Sequence, residues 1–477
     1  MKAGLGLVLA LFVGSHALAQ SPQRFARHDV WEKARAEAEK ATASGDLTTA
    51  REQTLLAFRE AVLFAESDPR LAQTSAALDS LQEKLIERGD ADAVDGLLVS
   101  IQQLADSAGA GATRVAVEVN LRRSDIAGRT GDAASAERLA AAARERAEAR
   151  FGAAHQLTLQ AGAKYVDAVA ARDPRRAILL ASTQIDTLTA ALGPENPMVV
   201  SAHITLAMVH LHAGEARLGL GAISHALELA TKRTALGAMQ GTVLWVLGIA
   251  QSSLGEHKRA EESLRNAREQ IELLLGLESD MAASAGGALA QARFALGDLQ
   301  GGFEALDRAA AALRKTGGAD APKLADPLMA EAAVLAELGD LDAADRLLVR
   351  ASELATRAGA FGREDALKVR WSQAHIASKR GDPAPTLALH AELTAKPART
   401  FSEKMRLCAS SNQVAYALGR ERRFAEALPH AERAVRCMEE LFDPNSENLA
   451  PATDTLAWIQ FGTGRTDEAR DSFRRVS

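Results

Sequence analysis

The chain has 477 residues, of which 47% are hydrophobic but only 4% are aromatic, and its formal net charge is −6 at pH 7. This charge gives no general basic surface for nucleic acid, and a content of only 2 Cys and 11 His excludes a dense disulfide or metal framework. Length alone suggests about three globular domains, whereas the richness in Ala, Leu, Glu and Arg favours an all-helical chain.

The N-terminal residues are typical of a secretion signal. Lys2 precedes a short apolar run from Leu5 to Val13, and Ala17 and Ala19 form a small-x-small cleavage site. The run is shorter than the roughly 20 residues that a membrane-spanning helix needs. We therefore predict a signal peptide over residues 1–19 and a linker over 20–29. The predicted location is periplasmic or secreted, with no membrane insertion after cleavage.

One internal repeat runs through the rest of the chain. Its marker is a turn residue, usually glycine, that is followed five residues later by a small residue, with markers 41–44 residues apart. The eleven markers are Gly45, Gly89, Gly131, Arg172, Gly214, Gly255, Gly297, Gly339, Gly381, Arg422 and Gly464. Apolar residues on both sides recur at spacings of three, four and seven, which places them on one helix face. Each unit is therefore predicted to be two helices joined by a turn in which glycine permits a positive φ.

The repeat resembles the tetratricopeptide repeat. The residues that match this consensus in order are Leu247, Gly248, Gly255, Ala260, Leu264 and Ala267. The longer period of about 42 residues, with Leu192-Gly193-Pro194-Glu195-Asn196-Pro197 between units, is similar to the kinesin light chain type. The resemblance implies an all-α, tetratricopeptide-type helical-hairpin solenoid, a right-handed superhelix of about eleven repeats over residues 30–477. It also implies that the first helices line a concave groove that binds a protein or peptide.

The resemblance further implies which first-helix positions face the groove. Applied to this sequence, those positions include Glu83, Val166, Val169, Met208, Trp245, Ile249, Phe294, Met329, Lys368, Trp371, His375, Asn412, Tyr416, Arg420 and Trp458. The same positions are acidic in the first three units, apolar in the middle units, and aromatic and basic in the last three. Aromatic residues in such a groove would anchor a ligand. The alternative is that these side chains pack against the neighbouring first helix as core.

Two cysteines fall in the tenth unit. Cys408 lies near the start of its first helix and Cys437 near the end of its second, so antiparallel helices would bring both to the same end of one hairpin. An oxidising compartment favours a disulfide between them, and two buried, unbridged thiols are the alternative.

No catalytic motif is present, whether a nucleophile elbow, a phosphate loop or a His-Glu-x-x-His zinc site. Four histidines cluster in the fifth unit: His203, His210, His212 and His225. No carboxylate or cysteine accompanies them at ligand spacing, so we expect no metal, cofactor or enzymatic activity.

The sequence favours an exported scaffold that binds a protein or peptide, and not nucleic acid. The alternative is a structural or assembly spacer of an envelope or secretion complex that contacts partners through outer helices or chain ends.

Overall fold

The computed structural model describes residues 26–231, 237–442 and 446–476, so the predicted signal peptide lies outside the described residues. Within these ranges the chain forms 22 α-helices and no strand. No helix in these ranges is both long enough and apolar enough to cross a membrane. The confirmed architecture is therefore all-α.

The helices pair in chain order into eleven hairpins, and each hairpin packs on the next. Their bounds are α1 His28–Ser44, α2 Leu47–Ala61, α3 Pro69–Glu87, α4 Ala91–Ala108, α5 Thr113–Arg129, α6 Ala133–Phe151, α7 Gln156–Ala170, α8 Pro174–Leu192, α9 Pro197–His212, α10 Ala216–Thr231, α11 Gly237–Ser253, α12 His257–Leu275, α13 Asp280–Ala295, α14 Leu299–Gly317, α15 Ala325–Glu337, α16 Leu341–Arg357, α17 Arg363–Lys379, α18 Ala384–Thr394, α19 Phe401–Arg420, α20 Phe424–Leu441, α21 Ala450–Gly462 and α22 Thr466–Val476. The predicted solenoid of hairpins is confirmed.

The turn inside each hairpin repeats one piece of backbone chemistry. In hairpin 8, Gly339 has φ +91° and ends α15. The backbone N–H of Asp340 donates to the carbonyl of Leu335, five residues earlier, at 2.9 Å. The side chain of Asp340 then accepts from the N–H of Ala343 and caps α16. A glycine followed by a capping residue therefore stops one helix and starts the next.

Small residues bring the two helices of a hairpin close together. In hairpin 6, Ala260 and Ala267 are both 0% exposed. A Cβ atom on Gly248 would lie 2.4 Å from Cγ of Leu264 on the facing helix, so the crossing of α11 and α12 has no room for a larger side chain. The alanine-rich, aromatic-poor composition follows from this packing, repeated along the solenoid.

The two hairpins that lack a marker glycine have turns that differ from each other. In hairpin 10, Arg422 itself adopts φ +57°, and Arg423 keeps the usual bond to the carbonyl five residues back, that of Leu418. In hairpin 4, Asp173 donates instead to Val169, four residues back, at 2.8 Å. The hydrogen bond that closes this turn spans one residue fewer than in hairpin 8, so the face that α7 presents is shifted by one residue, or roughly 100° around the helix.

Distant hairpins also touch, because the solenoid coils back on itself. The turn of hairpin 2 lies against the loop between hairpins 8 and 9. A Cβ on Gly89 would lie 2.7 Å from the carbonyl oxygen of Arg357, and a Cβ on Gly359 would lie 2.6 Å from the carbonyl oxygen of Gly89. Beside this contact, the guanidinium of Arg129 lies 5.1 Å from the ring centre of Phe361.

Further contacts of this kind follow toward the C-terminus, each between parts of the chain that are about six hairpins apart. The Ser402 hydroxyl donates to the carbonyl of Ala171 at 3.4 Å, and the Asn448 amide donates to the carbonyl of Gly214 at 3.1 Å. We call the line of contacts from Gly89 to Asn448 the seam. It joins the turns of hairpins 2, 4 and 5 and the end of α5 to the loops before hairpins 9 and 11 and to the first turn of α19.

Candidate functional site

The first helices of consecutive hairpins lie side by side and form one continuous surface, which we call the inner wall. Ion pairs cross between them: Arg122 to Asp79 at 2.8 Å, from α5 to α3, and Lys164 to Asp125 at 2.6 Å, from α7 to α5. In the last third, Lys379 on α17 contacts Glu337 on α15 at 2.9 Å, and Arg406 on α19 contacts Glu364 on α17 at 2.6 Å. The inner wall is therefore held by contacts between neighbouring repeats as well as by each hairpin core.

Most of the predicted groove residues lie on this wall with part of the side chain open to solvent. Met208 is 38% exposed. Eight others are half-buried: Trp245, Ile249, Phe294, Trp371, His375, Asn412, Tyr416 and Trp458. Met329 is wrongly placed by the sequence, because it is only 9% exposed and belongs to the core around hairpins 7 to 9.

Three of these residues form an aromatic cluster at the C-terminal end of the inner wall. The rings of His375 on α17 and Tyr416 on α19 are stacked with centroids 6.1 Å apart, and Trp458 on α21 follows at 5.9 Å from Tyr416. All three occupy the same repeat position, six residues before the turn. The repeat therefore lines them up across three consecutive helices, as its period predicts.

A charged group adjoins the aromatic cluster. Glu337 accepts from Lys379 and lies 3.6 Å from Nε2 of His375. The hydrogen bond from Lys379 is the main reason that the pKa of the Glu337 carboxyl lies below its ordinary value. This end of the wall therefore combines aromatic faces with a carboxylate that stays ionised.

In the middle of the wall the exposed surface is apolar. Trp245 packs against the cores of hairpins 5, 6 and 7, and its indole N–H has no hydrogen-bond partner among the described residues. Phe294 lies over the space left by Gly302, where a Cβ would be 2.3 Å from the ring. These two aromatic residues therefore also pack between helices, as the alternative interpretation of the groove residues expects.

Comparisons with known proteins agree with this geometry. Residues 406–477 match the family model of the tetratricopeptide repeat. A Rap protein solved in complex with competence and sporulation factor is 14% identical, with a TM-score of 0.52 over 77% of this chain and 98% of that chain. The fold is a tetratricopeptide-repeat solenoid. The predicted resemblance is thus confirmed.

Two other solved structures have TM-scores below 0.5. The apo form of RapI has 11% identity and a TM-score of 0.45 over 77% of this chain and 98% of that chain. BtubC from P. vanneervenii has 16% identity and a TM-score of 0.33 over 56% of this chain and 92% of that chain. No curated protein matches.

One residue of the tetratricopeptide solenoid's inner wall escapes the sequence prediction. The shortened turn of hairpin 4 rotates α7, so Val166 and Val169 are buried in the core and Asp167 takes the inner-wall position instead. Burial raises the pKa of the Asp167 carboxyl, against the effect of nearby Lys164. Arg172 lacks the marker glycine, but so does Arg422, where the usual turn is kept, so the motif alone does not signal this shift.

The tetratricopeptide hairpin 10 carries the cysteine pair. Cys408 on α19 and Cys437 on α20 form a disulfide in the structure, with Cα atoms 5.4 Å apart. Cys437 adjoins the backbone of Lys404, two residues beyond the Ser402 contact of the seam. The disulfide therefore joins the two helices close to where hairpin 10 meets hairpin 4.

The histidines of hairpin 5 do not converge on one point. The rings of His203 and His225 meet edge to face at 4.7 Å, whereas His210 pairs with Glu215 at 2.7 Å. Over the described residues, no group of three His, Cys, Asp or Glu side chains is arranged to hold a metal ion.

Proposed function

We propose that this protein is an exported scaffold that binds a peptide or another protein through the inner wall of its solenoid. The aromatic cluster of His375, Tyr416 and Trp458 carries the proposal. A chain with only 4% aromatic residues places three rings in line on one partly open surface. Trp and Tyr are enriched among the few residues that carry most of the binding energy at protein interfaces. The Rap protein of similar fold, which was solved with a bound factor, is a precedent for ligand binding by this architecture.

Charge along the wall suggests the order of groups in the ligand. Glu83 on α3 and Asp167 on α7 make no ion pair among the described residues, and both are exposed to solvent. At the aromatic end, Lys368 on α17 already pairs with Asp365 at 3.0 Å, so its charge is compensated within the wall. A ligand with cationic residues toward hairpins 2–4 and apolar residues toward the aromatic cluster would complement this arrangement.

Site-specific photocrosslinking in the producing cells tests the proposal. A photoreactive residue replaces Met208 on the inner wall or, as the outer control, Leu273 on α12, which is 84% exposed. We expect partner adducts from Met208 and none from Leu273. Adducts from Leu273 alone would refute binding on the inner wall.

Alanine variants test the anchors once a partner is captured. Trp458→Ala and Tyr416→Ala are expected to weaken binding by about 30-fold each, the size of a typical interface hot spot. Phe473→Ala is the matched control, because Phe473 is an exposed aromatic residue on the outer helix α22. Equal binding by all three variants would contradict the proposal while leaving the fold unchallenged.

One observation favours a second candidate, a spacer subunit that is bound from outside. Leu273, Leu274, Leu275 and Leu277 form an exposed apolar patch at the end of α12, and such patches mark contact sites. In this case the photoreactive residue at position 273 would give the adducts, and adding Leu277→Ser to that variant would abolish them, because Leu277 is 68% exposed in the same patch.

Export has a direct test. Cleavage after Ala19 would leave a mature chain that starts at Gln20, and N-terminal sequencing of the protein purified from its native cells checks this. A chain that retains residues 1–19 would contradict export by a cleaved signal.

A further inference from the structure

The seam limits which ligands can reach the inner wall from the side. It joins hairpins about six positions apart, by backbone approach at Gly89 and Gly359 and by hydrogen bonds at Ala171 and Gly214. Because first helices line the inside of the coil, the seam closes the wall into a channel along its sides. Two cavities, of about 580 and 370 Å³, interrupt the seam. They are large enough for side chains or a small molecule, not for a folded domain.

Two titratable groups near the seam are shielded by protein although part of each side chain is open to solvent. Asp167 and His212 are both exposed to solvent, at α7 and α9. Nevertheless, burial raises the pKa of the Asp167 carboxyl and lowers the pKa of the His212 imidazole. For His212 the surrounding protein includes Phe401 across the seam, whose ring centroid lies 5.9 Å from that of the imidazole.

The repeat geometry limits the width of the channel. Six first helices about 9 Å apart enclose a ring with about 18 Å between opposite helix axes. Helices with their side chains occupy about 10 Å of that distance, which leaves roughly 8 Å. The backbone of an extended chain is about 5 Å wide in its hydrogen-bonding direction and fits edge-on with its side chains between those of the wall, whereas a helix about 10 Å across does not fit.

We propose that the solenoid takes its partner as an extended polypeptide segment that enters by a free end along the axis of the coil. This inference rests on the proposed function, and it names the class of ligand. A folded domain, or an internal segment flanked by folded domains, would be excluded by the seam. The carboxylates of Glu83 and Asp167 would receive cationic side chains of the threaded segment.

Maleimide labelling measures access to the channel without a ligand. The full mature chain carries Met208→Cys on the inner wall or Leu273→Cys on the outside, with the native disulfide retained. The probes are a small maleimide, a maleimide on the end of an unstructured Gly/Ser polypeptide, and a maleimide on a folded domain of the same mass. The rate at which a thiol reacts depends on how easily the probe reaches it. For each probe, the rate at Met208→Cys is therefore compared with the rate at Leu273→Cys.

We expect the small and unstructured probes to label both sites at similar rates. The folded probe should label Met208→Cys slower than Leu273→Cys by an order of magnitude or more. Adding Gly89→Ala, which opens the seam, should restore the rate at Met208→Cys. Adding Gly131→Ala, at a turn with no neighbour within 4 Å, should not.

Three results would overturn the inference. Equal rates with the folded probe would show an open groove. An unreactive Met208→Cys with the unstructured probe would show a channel too narrow for any chain. Slow folded-probe labelling that Gly89→Ala does not relieve would show that the seam is not the barrier. Crosslinking from Met208 reports the proposed function separately, so an open groove that still binds a partner would refute threading alone.

Discussion

Replacing Gly89 with alanine should separate the two coils of the solenoid, and Gly131→Ala is its matched control. Both glycines end the first helix of a hairpin with a positive φ, +73° for Gly89 and +88° for Gly131. Their surroundings differ. A Cβ on Gly89 meets the backbone of residues 357–359 at 2.7–2.9 Å, while a Cβ on Gly131 meets nothing within 4 Å.

The two costs can be worked out separately. Alanine in a left-handed conformation costs about 1–2 kcal/mol, so both variants should lose roughly this much free energy of unfolding. Gly89→Ala must also move backbone atoms that cannot rotate away. Overpacking of this kind costs about 1–3 kcal/mol, which brings the expected loss for Gly89→Ala to about 2–5 kcal/mol. The difference between the variants, about 1–3 kcal/mol, measures the seam alone.

Hydrogen exchange and small-angle scattering provide the assay, because repeat proteins often unfold in parts and give no single midpoint. Gly89→Ala should speed exchange at the turn of hairpin 2 and at residues 357–362 together, and should increase the radius of gyration. Gly131→Ala should speed hydrogen exchange in hairpin 3 only and leave the radius of gyration unchanged. Equal stability losses and unchanged scattering for both variants would refute the seam.

Three further predictions concern the rest of the chain. Arg422→Gly should stabilise the protein by about 1 kcal/mol in denaturant unfolding, because Arg422 holds a left-handed conformation, whereas Arg172→Gly should give no gain. Reducing the Cys408–Cys437 disulfide should cost roughly 3–4 kcal/mol, since it closes a loop with a sequence separation of 29; an unchanged unfolding curve in reductant would contradict this. Burial lowers the pKa of His390, so the unfolded chain binds the proton more tightly. Its contribution to stability should be constant above about pH 6.5 and fall as the pH drops below that value, and a thermal midpoint that rises on acidification from pH 7 to 6 would show the opposite sign.

The sequence could predict the hairpins because their determinants are local. A glycine such as Gly339, its capping neighbour Asp340 and the alanine five residues after the turn lie within one short stretch of chain, and each has a fixed backbone or packing role. The position of Tyr416 and Trp458 on one face follows from the same period. Local chemistry therefore gives the fold class and most of the inner wall.

What the sequence could not give depends on small geometric shifts. The groove positions assume a constant turn, and the shorter turn at Arg172 breaks this assumption, which buries Val166 and brings Asp167 to the wall. Arg422 also replaces a glycine, yet it keeps the usual turn by adopting the left-handed conformation itself. Two identical substitutions in the motif thus have opposite structural results, and the pattern alone does not distinguish them.

The seam lies furthest from prediction, because it arises from rotation accumulated over about six hairpins. Gly89 has the same motif position as Gly131, and both satisfy the same turn. Only the coil of the whole array brings Gly359 against Gly89, where the lack of a side chain allows the two backbones to touch. Gly89 therefore has a second role that its own repeat does not encode, and this role decides whether the inner wall is an open groove or a closed channel.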